Sequence, residues 1–502
     1  MFEYQETFGQ SLKSILASRG IAAASLSDAL GFSSRTSLYR ILNDESSANK
    51  AEKLLELLQT CPLLKLTREE EEHLRALIEI ERCGLDEFLY SRAFRSLLFP
   101  QTPPGGAYTI HVEDLPGGRQ LGMDIDDTIP RLAGQPGAAV RLHVTGQMSE
   151  ALASAMYRLI SACHENGVEV RVCHYLDGSS AGFAGTLACL LPMVYLGGYE
   201  IRCYDGSRMH GEMSALMSVT AIYAVRQTPC GEAMWYHMVA TAPDHALVYP
   251  CTEAEYQAFQ RMIECWDDSS SPVSGAFLSG GSPQDCLRHA GRYRELEHDR
   301  EALLIRSCIP YSLIPAKMLQ DAAYDIFMAQ GSGGGDDEAA QRASACLRDV
   351  HHQRWENIRR KRKTTHLILD RSGMLELART GRMRSRLCAV RPFTMEERLT
   401  LLCDLKEQLL HNPYFNAYFY LDESAVIRDE ISLYTGGGML LARGERGCRA
   451  SRGCPELLIT QTEFCERFRR FFYEHLLGGC VTPLQQTLRY LDEMIDEVRQ
   501  ML

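Results

Sequence analysis

The sequence predicts a mixed α/β protein, with an all-helical N-terminal region followed by a large α/β body that is open to division into two subdomains. Its 502 residues are too many for a single hydrophobic core. Apolar residues first recur at helical spacing, and strands then alternate with helices, the pattern of an α/β sheet. We divide the chain into a helical domain (1–99), an α/β domain (107–270), a mostly helical connecting region with a flexible insert (271–362) and a second α/β region that ends in an amphipathic helix (363–502).

The N-terminal region reads as a series of helices. Helical spacing predicts helices over Glu6–Arg19, Lys50–Leu58 and Asp86–Leu98. Another helix begins at Thr67, where Glu70 completes a capping box, and ends at Gly84. The Pro/Gly-rich stretch PQTPPGG that follows is typical of a domain boundary.

Two short helices separated by a tight break are predicted between Ser25 and Asn43. Ser25 with Asp28 forms the pattern of a capping box for the first helix, and Gly31 is suited to end it. Phe32 is an apolar residue in the turn, and Ser33 or Ser34 can cap the second helix. Leu38, Ile41 and Leu42 share one face of that helix. The opposite face is polar and cationic, as a helix that enters a DNA major groove requires.

This stretch resembles the helix-turn-helix of the lambda-repressor/Cro-like (XRE-type) superfamily. The resemblance covers about the first fifth of the chain and is carried by these residues: Leu26, Asp28, Leu30, Gly31, Phe32, Ser33, Arg40, Ile41 and Asn43. It implies a cytoplasmic DNA-binding transcriptional regulator that contacts double-stranded DNA. On the polar face of the second helix we expect the DNA-binding residues to be Ser34, Arg35, Thr36, Ser37, Tyr39, Arg40 and Asn43, with Lys50 and Lys53 as weaker candidates for the DNA backbone. The alternative is a helical bundle that contacts only protein.

Composition limits the remaining functions. The net charge of −12 requires any DNA-binding face to be local. No apolar run is long enough to span a bilayer, and MFEYQETFGQ lacks the features of a signal peptide, so we predict a cytoplasmic protein without membrane contact. The 18 cysteines contain no CxxC pair and are expected to be free thiols. We predict no metal and no cofactor.

The body contains two α/β patterns of similar order, which suggests duplication although no residue-level repeat is visible. In the first, strands are predicted at 109–112, 139–144, 169–176, 200–204, 234–241 and 245–250, with helices at Ser149–Glu165, Leu187–Tyr195 and Thr252–Cys265. Residues 283–330 read mostly as helix and 340–362 as helix. In the second, strands are predicted at 366–370, 417–422 and 457–460, a hairpin at 431–442, and helices at Thr394–Leu410 and Glu463–Leu476. A small-molecule or protein effector of this body is expected but not identified.

A competing signal lies in MDIDDTI. Asp124, Asp126 and Thr128 match the DxDxT loop of the haloacid-dehalogenase-like phosphohydrolases, and Thr145 resembles that family's second motif. This resemblance implies a Mg²⁺-dependent phosphohydrolase with a helical accessory head. GGRQLG makes a poor strand, however, the spacer before Val140 is short, and the expected lysine and acidic pair are missing. We therefore predict that the protein is not an enzyme and assign no catalytic residue.

Two further features of the body favour structural interpretations. The basic run Arg359–Lys363 is typical of a solvated helix end. Helical spacing of Phe464, Phe468, Phe471, Phe472 and Tyr473 favours core packing over a ligand pocket.

The C-terminal helix carries a heptad pattern. Thr482 is expected to cap it, with Pro483 in its first turn and Gln485 completing a capping box. The apolar positions are Leu484, Leu488, Leu491, Ile495, Val498 and Leu502. This seam can pack on its own domain or pair across a two-fold axis, and we expect a homodimer because dimeric helix-turn-helix proteins bind two half-sites.

Overall fold

The structure is a computed structural model, and it confirms the mixed α/β class. It describes residues 6–32, 34–98, 109–114, 119–124, 138–178, 182–194, 196, 198–206, 221–227, 233–242, 245–275, 295–330, 337–383, 390–421, 429–443 and 456–502. The chain divides into two compact units, residues 1–92 and 93–502. The predicted linker PQTPPGG lies outside the described residues, as does most of the Gly-rich insert.

The first unit is all helical, as predicted. Its helices are α1 (Phe8–Ser18), α2 (Ala23–Ala29), α3 (Arg35–Leu42), α4 (Ala48–Gln59) and α5 (Arg68–Cys83), and α6 (Leu85–Leu98) begins in this unit and ends in the second. The capping box of Thr67 and Glu70 is formed, and Gly84 follows the last residue of α5. One core joins α1 to α5 through residues that include Phe8, Leu12, Leu26, Leu38, Leu54 and Leu74.

One helix start in this unit differs from the prediction. The helix α2 begins at Ala23, and its N-cap is Ala22, which makes no side-chain capping bond. The predicted capping box of Ser25 and Asp28 is therefore wrong, because both residues lie inside the helix. The carboxylate of Asp28 is instead available to a neighbouring helix.

The first sheet of the body has nine strands in the order β2-β1-β8-β7-β6-β3-β4-β5-β9. The strands are β1 (Thr109–Asp114), β2 (Arg119–Asp124), β3 (Ala139–Thr145), β4 (Glu169–Asp177), β5 (Tyr199–Tyr204), β6 (Ala221–Gln227), β7 (Ala233–Ala242), β8 (His245–Cys251) and β9 (Ser271–Pro272). Strands β3, β4 and β5 are parallel, whereas β6, β7 and β8 form an antiparallel meander beside β3. The described residues of this region form three helices: α7 (Glu150–Glu165), α8 (Gly182–Val194) and α9 (Glu253–Ser269).

The second sheet has seven strands in the order β10-β16-β15-β14-β11-β12-β13. The strands are β10 (Ser274–Gly275), β11 (Ala302–Arg306), β12 (Thr365–Leu369), β13 (Phe415–Phe419), β14 (Asp429–Tyr434), β15 (Gly438–Arg443) and β16 (Glu456–Ile459). Its helices are α10 (Ala316–Gln330), α11 (Asp337–Arg359), α12 (Arg371–Thr380), α13 (Met395–His411), α14 (Thr462–Phe471) and α15 (Leu484–Met501), and a π-helical turn, Phe472–Leu476, continues α14. Strands β11, β12 and β13 are parallel, and β14, β15 and β16 form the meander.

The two sheets repeat one topology. In each, three parallel strands with helical crossovers precede a three-stranded meander whose first strand pairs with the first parallel strand. The segment 271–275 joins them, since the Val273 amide donates to Ile201 O at 2.8 Å and the Leu458 amide donates to Val273 O at 2.9 Å. The duplication suggested by the order of elements is thus present in the strand topology.

Two local predictions in the body were wrong, and one helix was missed. Residues 302–306, predicted within a mostly helical region, form β11, a fully buried strand of the second sheet. The helix α12 was not predicted. The segment before Asp124, judged a poor strand, forms β2, an edge strand of the first sheet.

The C-terminal helix packs on its own domain. Leu491, Met494, Ile495 and Val498 are buried in the core of the second sheet, whereas Leu484 and Leu502 are exposed. The helix begins after Pro483, which is its N-cap, so the predicted cap at Thr482 is wrong. The Thr482 hydroxyl instead accepts from the Phe419 amide at 2.9 Å, which attaches the segment before α15 to β13.

The basic run has partners in the structure. Arg359 lies over the ring of Trp355, Arg360 pairs with Glu356 at 3.0 Å, and Lys361 and Lys363 lie 3.8 and 3.9 Å from Asp299. These contacts support the interpretation of a solvated helix end.

No helix among the described residues is long and apolar enough to cross a membrane.

Candidate nucleic-acid interface

The helix α3 has one buried and one exposed face. Leu38, Ile41 and Leu42 are no more than 6% exposed and belong to the core of the first unit. All seven side chains predicted to contact DNA lie on the exposed face: Ser34, Arg35, Thr36, Ser37, Tyr39, Arg40 and Asn43. Ser34 is the N-cap of α3, and its hydroxyl accepts from the Thr36 amide at 3.3 Å.

The turn between α2 and α3 is fixed by backbone hydrogen bonds. The amide of Gly31 donates to Asp28 O at 3.2 Å, and the amide of Phe32 donates to Ser27 O at 3.1 Å, which is the pattern of a Schellman motif. Gly31 has φ of 69°, a left-handed conformation that glycine adopts without a Cβ penalty. Phe32 packs against the core of the unit, as predicted for an apolar residue in the turn.

The helix α1 holds the other end of α3. Gly9 approaches that end so closely that a Cβ atom there would lie 2.4 Å from Leu42 O. The Asp44 carboxylate accepts from the Gly9 amide at 3.0 Å and from the Thr7 hydroxyl at 2.5 Å. Both ends of α3 are therefore anchored to the fold while its polar face is open to solvent.

The two arginines of α3 have different surroundings. The Arg35 guanidinium donates to the Asp28 carboxylate, from Nη2 at 2.9 Å and from Nε at 3.4 Å, and both side chains are about 60% exposed. Among the described residues, the Arg40 guanidinium donates to a backbone oxygen alone, that of Glu45, at 3.5 Å. Exposed ion pairs contribute about 0–1 kcal/mol to stability, so this pair adds little to the stability of the fold.

The residues around α3 carry a net positive charge, whereas the whole chain carries a net negative charge. Residues 7–53 carry six Lys and Arg against four Asp and Glu, whereas the whole chain has a net charge of −12. Lys13 of α1 donates to the Asn43 side-chain oxygen at 2.8 Å, which places a further ammonium group beside the predicted face. Lys50 and Lys53 are exposed on α4.

Sequence reasoning missed two members of this surface. Lys13 lies on α1, whose register against α3 is set by the close approach at Gly9, and helical spacing within either helix does not reveal it. Asp28 was assigned to a capping box, although a carboxylate seven residues before Arg35 and across a Gly turn is a signal for a contact between the two helices.

The two described residues of the phosphohydrolase alternative, Asp124 and Thr145, are not brought together. Asp124 ends the edge strand β2, and Thr145 ends β3, with four strands between them in the sheet. Five steps of about 4.8 Å separate these strands by roughly 24 Å. Asp126 and Thr128 lie outside the described residues. Within the described residues, no group of three or more His, Cys, Asp or Glu side chains is placed to hold a metal.

Comparisons with known proteins leave the chain without an assigned family. No family profile matches it, and no curated protein matches it. The crystal structure of phosphatidylserine synthase from Haemophilus influenzae Rd KW20 aligns with 81% of this chain and 98% of its own, at 13% identity and a TM-score of 0.22. A TM-score this low does not establish a common fold.

Proposed function

We propose that this chain is a cytoplasmic DNA-binding transcriptional regulator that contacts duplex DNA through the exposed face of α3. The observation that carries the proposal is that α3 buries an apolar face and leaves exposed five of the seven predicted residues, two of them arginines, while its cap residues Ser34 and Asn43, also exposed, supply the other two. The resemblance of residues 25–43 to lambda-repressor/Cro-like regulators supports the same function.

The chemistry of the face suits a major groove. An α-helix fits the width of that groove, and Arg, Ser, Thr and Asn side chains are donors or acceptors for base edges and phosphates. The seven residues 34–37, 39, 40 and 43 would supply these contacts, and Lys13, Lys50 and Lys53 would add phosphate contacts that depend on salt.

We further propose that the regulator is a homodimer and that its body receives an effector. A dimer suits a helix-turn-helix protein because two half-sites double the contact with DNA. The seam of α15 is not its interface in this proposal, because that seam is buried in the core of the second sheet. Light scattering on the full chain at micromolar concentration tests the dimer, and a monomer would refute it.

The DNA-binding proposal is tested by selecting duplexes from a random-sequence pool with the full-length protein. Affinity for a selected duplex is then measured against salt. Because the proposed contacts include phosphates, affinity is expected to fall as salt rises. Replacing both Arg35 and Arg40 with Ala is expected to abolish most of this binding.

A matched control removes two arginines from elsewhere in the same unit. Arg68 and Arg75 are exposed on α5 and pair only with neighbouring glutamates of that helix in the described structure. The variant with both replaced by Ala is expected to bind nearly as the wild type does. The proposal fails if no duplex is selected, or if the Arg35 and Arg40 variant stays folded and binds with unchanged affinity.

A further inference from the structure

The contact between Arg35 and Asp28 leaves one particular edge of the guanidinium free. Asp28 accepts from Nε and Nη2, which together form the side edge of the group. The end edge, formed by Nη1 and the second hydrogen of Nη2, donates no hydrogen bond within the described residues. A carboxylate on one edge thus restrains the plane of the guanidinium while the other edge is directed away from that carboxylate.

We propose that Arg35 is a specificity-determining residue that recognises a guanine in the major groove and that Asp28 positions it. The inference rests on the proposed function. Guanine presents O6 and N7 as adjacent acceptors in the major groove, and two parallel N–H donors of an arginine match them. Because Asp28 already restricts the orientation of the Arg35 guanidinium, this side chain loses less conformational entropy on binding. That restriction favours a bidentate contact with a base over a loose contact with a phosphate.

Arg40 lacks this arrangement and supplies the comparison. Its contact is a backbone oxygen at 3.5 Å, and no carboxylate of the described residues sets the plane of its guanidinium. Both arginines lie on the same exposed face of the same helix. We assign Arg40 to a phosphate, where charge matters more than the orientation of the group.

Asp28 has two opposite effects in this arrangement. Its negative charge lies beside the proposed DNA surface and repels phosphates, which lowers affinity for any duplex. Its hydrogen bonds orient Arg35, which raises discrimination for one base. Replacing Asp28 with Asn is therefore expected to increase affinity for unrelated duplex and to decrease guanine discrimination. If Asp28 had a purely structural role, its replacement would not raise affinity for unrelated duplex while lowering guanine discrimination.

The test uses the full-length protein and a duplex selected from the random pool. Each guanine of the selected site is replaced in turn by adenine, and separately by 7-deazaguanine, which lacks the N7 acceptor. For the wild type, adenine at one guanine position per half-site is expected to weaken binding by about tenfold to a hundredfold. Arg35→Ala is expected to remove that discrimination, and Arg35→Lys is expected to reduce it, because a lysine has no planar fork.

Arg40→Ala is the matched control. It is expected to weaken binding to all duplexes alike, to lower the salt slope by about one, and to keep the guanine preference. Undiminished guanine discrimination in a folded Arg35→Ala protein would overturn the inference while the DNA-binding proposal stands. Unchanged discrimination in Asp28→Asn would overturn the role of Asp28. If the wild type selects no duplex, the proposed function itself fails.

Discussion

The two α/β halves of the body, residues 139–269 and 302–471, share a strand order but bury different chemistry. In the first half, α9 covers a layer in which Tyr175 packs on Trp266 and donates to the Asp267 carboxylate at 2.9 Å. In the second half, α14 presents Phe464 and Phe468, whose rings each lie 5.2 Å from that of Phe94. The same position in the topology thus holds a hydroxyl network in one half and a phenylalanine cluster in the other.

The buried titratable groups of the two halves also differ. The first half buries His174, whose ring nitrogens lie 2.7 Å from the Tyr199 hydroxyl and 2.8 Å from Gly146 O. The second half buries two ion pairs, Arg306 with Glu430 and Arg354 with Glu297, each at 3.8 Å. Strand order is compatible with either solution, because it requires apolar alternation and connection lengths but no particular polar partner.

The largest expected effect comes from breaking a buried ion pair of the second half. Arg354 is fully buried, donates to Arg300 O at 3.0 Å, and faces the buried Glu297 carboxylate. Arg354→Met leaves that carboxylate unpaired and is expected to destabilise the second half by about 3–5 kcal/mol. Hydrogen–deuterium exchange resolved by peptide measures the change, and peptides of β11 and β12 should lose protection while those of β3 and β4 keep it.

The pH dependence of this variant follows from Glu297. Burial raises the pKa of its carboxyl above the ordinary value, against the opposing effect of Arg354. Removing Arg354 raises the pKa further, so the folded variant binds a proton more readily than the unfolded chain, and its stability falls as pH rises. The loss of stability in Arg354→Met relative to wild type should be smaller at pH 5 than at pH 8. An equal deficit at both values would contradict this account.

Much of the fold and of the candidate site could be predicted from sequence, for reasons that differ between elements. The capping box of Thr67 with Glu70 is a local pattern, and the structure forms it, whereas the boxes predicted at Ser25 and Thr482 are not formed. The apolar stripe of Leu38, Ile41 and Leu42 likewise predicted the exposed face of α3. The run ALLIR of β11 was assigned to helix because five consecutive buried residues carry no period.

Contacts between elements were beyond the reach of such patterns. The pairs of Asp28 with Arg35 and Arg354 with Glu297 depend on how separate elements pack. The duplication was visible only as an order of elements, because the two halves bury different side chains at matching positions.

The next largest effect concerns the buried histidine of the first half. Burial lowers the pKa of His174 to about 4 from its ordinary 6.5. Between these two pKa values, His174 binds a proton in the unfolded chain but not in the folded first half. The stability of the first half therefore falls as pH falls from 6.5 to about 4, by about 3 kcal/mol in total. Exchange protection of β3 and β4 measured across this range reports the loss.

His174→Gln is the control for that titration. A glutamine keeps a donor and an acceptor but does not titrate, so its first half should lose less protection than the wild type as pH falls over the same range. The second half serves as an internal reference in both proteins. If wild type and His174→Gln lose protection equally, His174 is not the source of the pH dependence.

The smallest effect compares one hydroxyl from each half. The Tyr434 hydroxyl donates to the Glu297 carboxylate at 2.9 Å, and the Tyr175 hydroxyl donates to the Asp267 carboxylate at the same distance. The two carboxylates differ in exposure, because the Glu297 side chain is 5% exposed and that of Asp267 is 48% exposed. Tyr434→Phe leaves a buried carboxylate with one donor fewer, which is expected to lower the free energy of unfolding by about 1.5–3 kcal/mol. Tyr175→Phe is expected to lower it by about 0.5–1.5 kcal/mol, because water can replace the lost donor at Asp267. The expected difference of about 1 kcal/mol is within reach of peptide-resolved exchange, with β14 reporting on the second half and β4 on the first. Equal costs would mean that the surroundings of the carboxylate do not set the strength of these bonds, and the contrast between the halves would then lie in residue types alone.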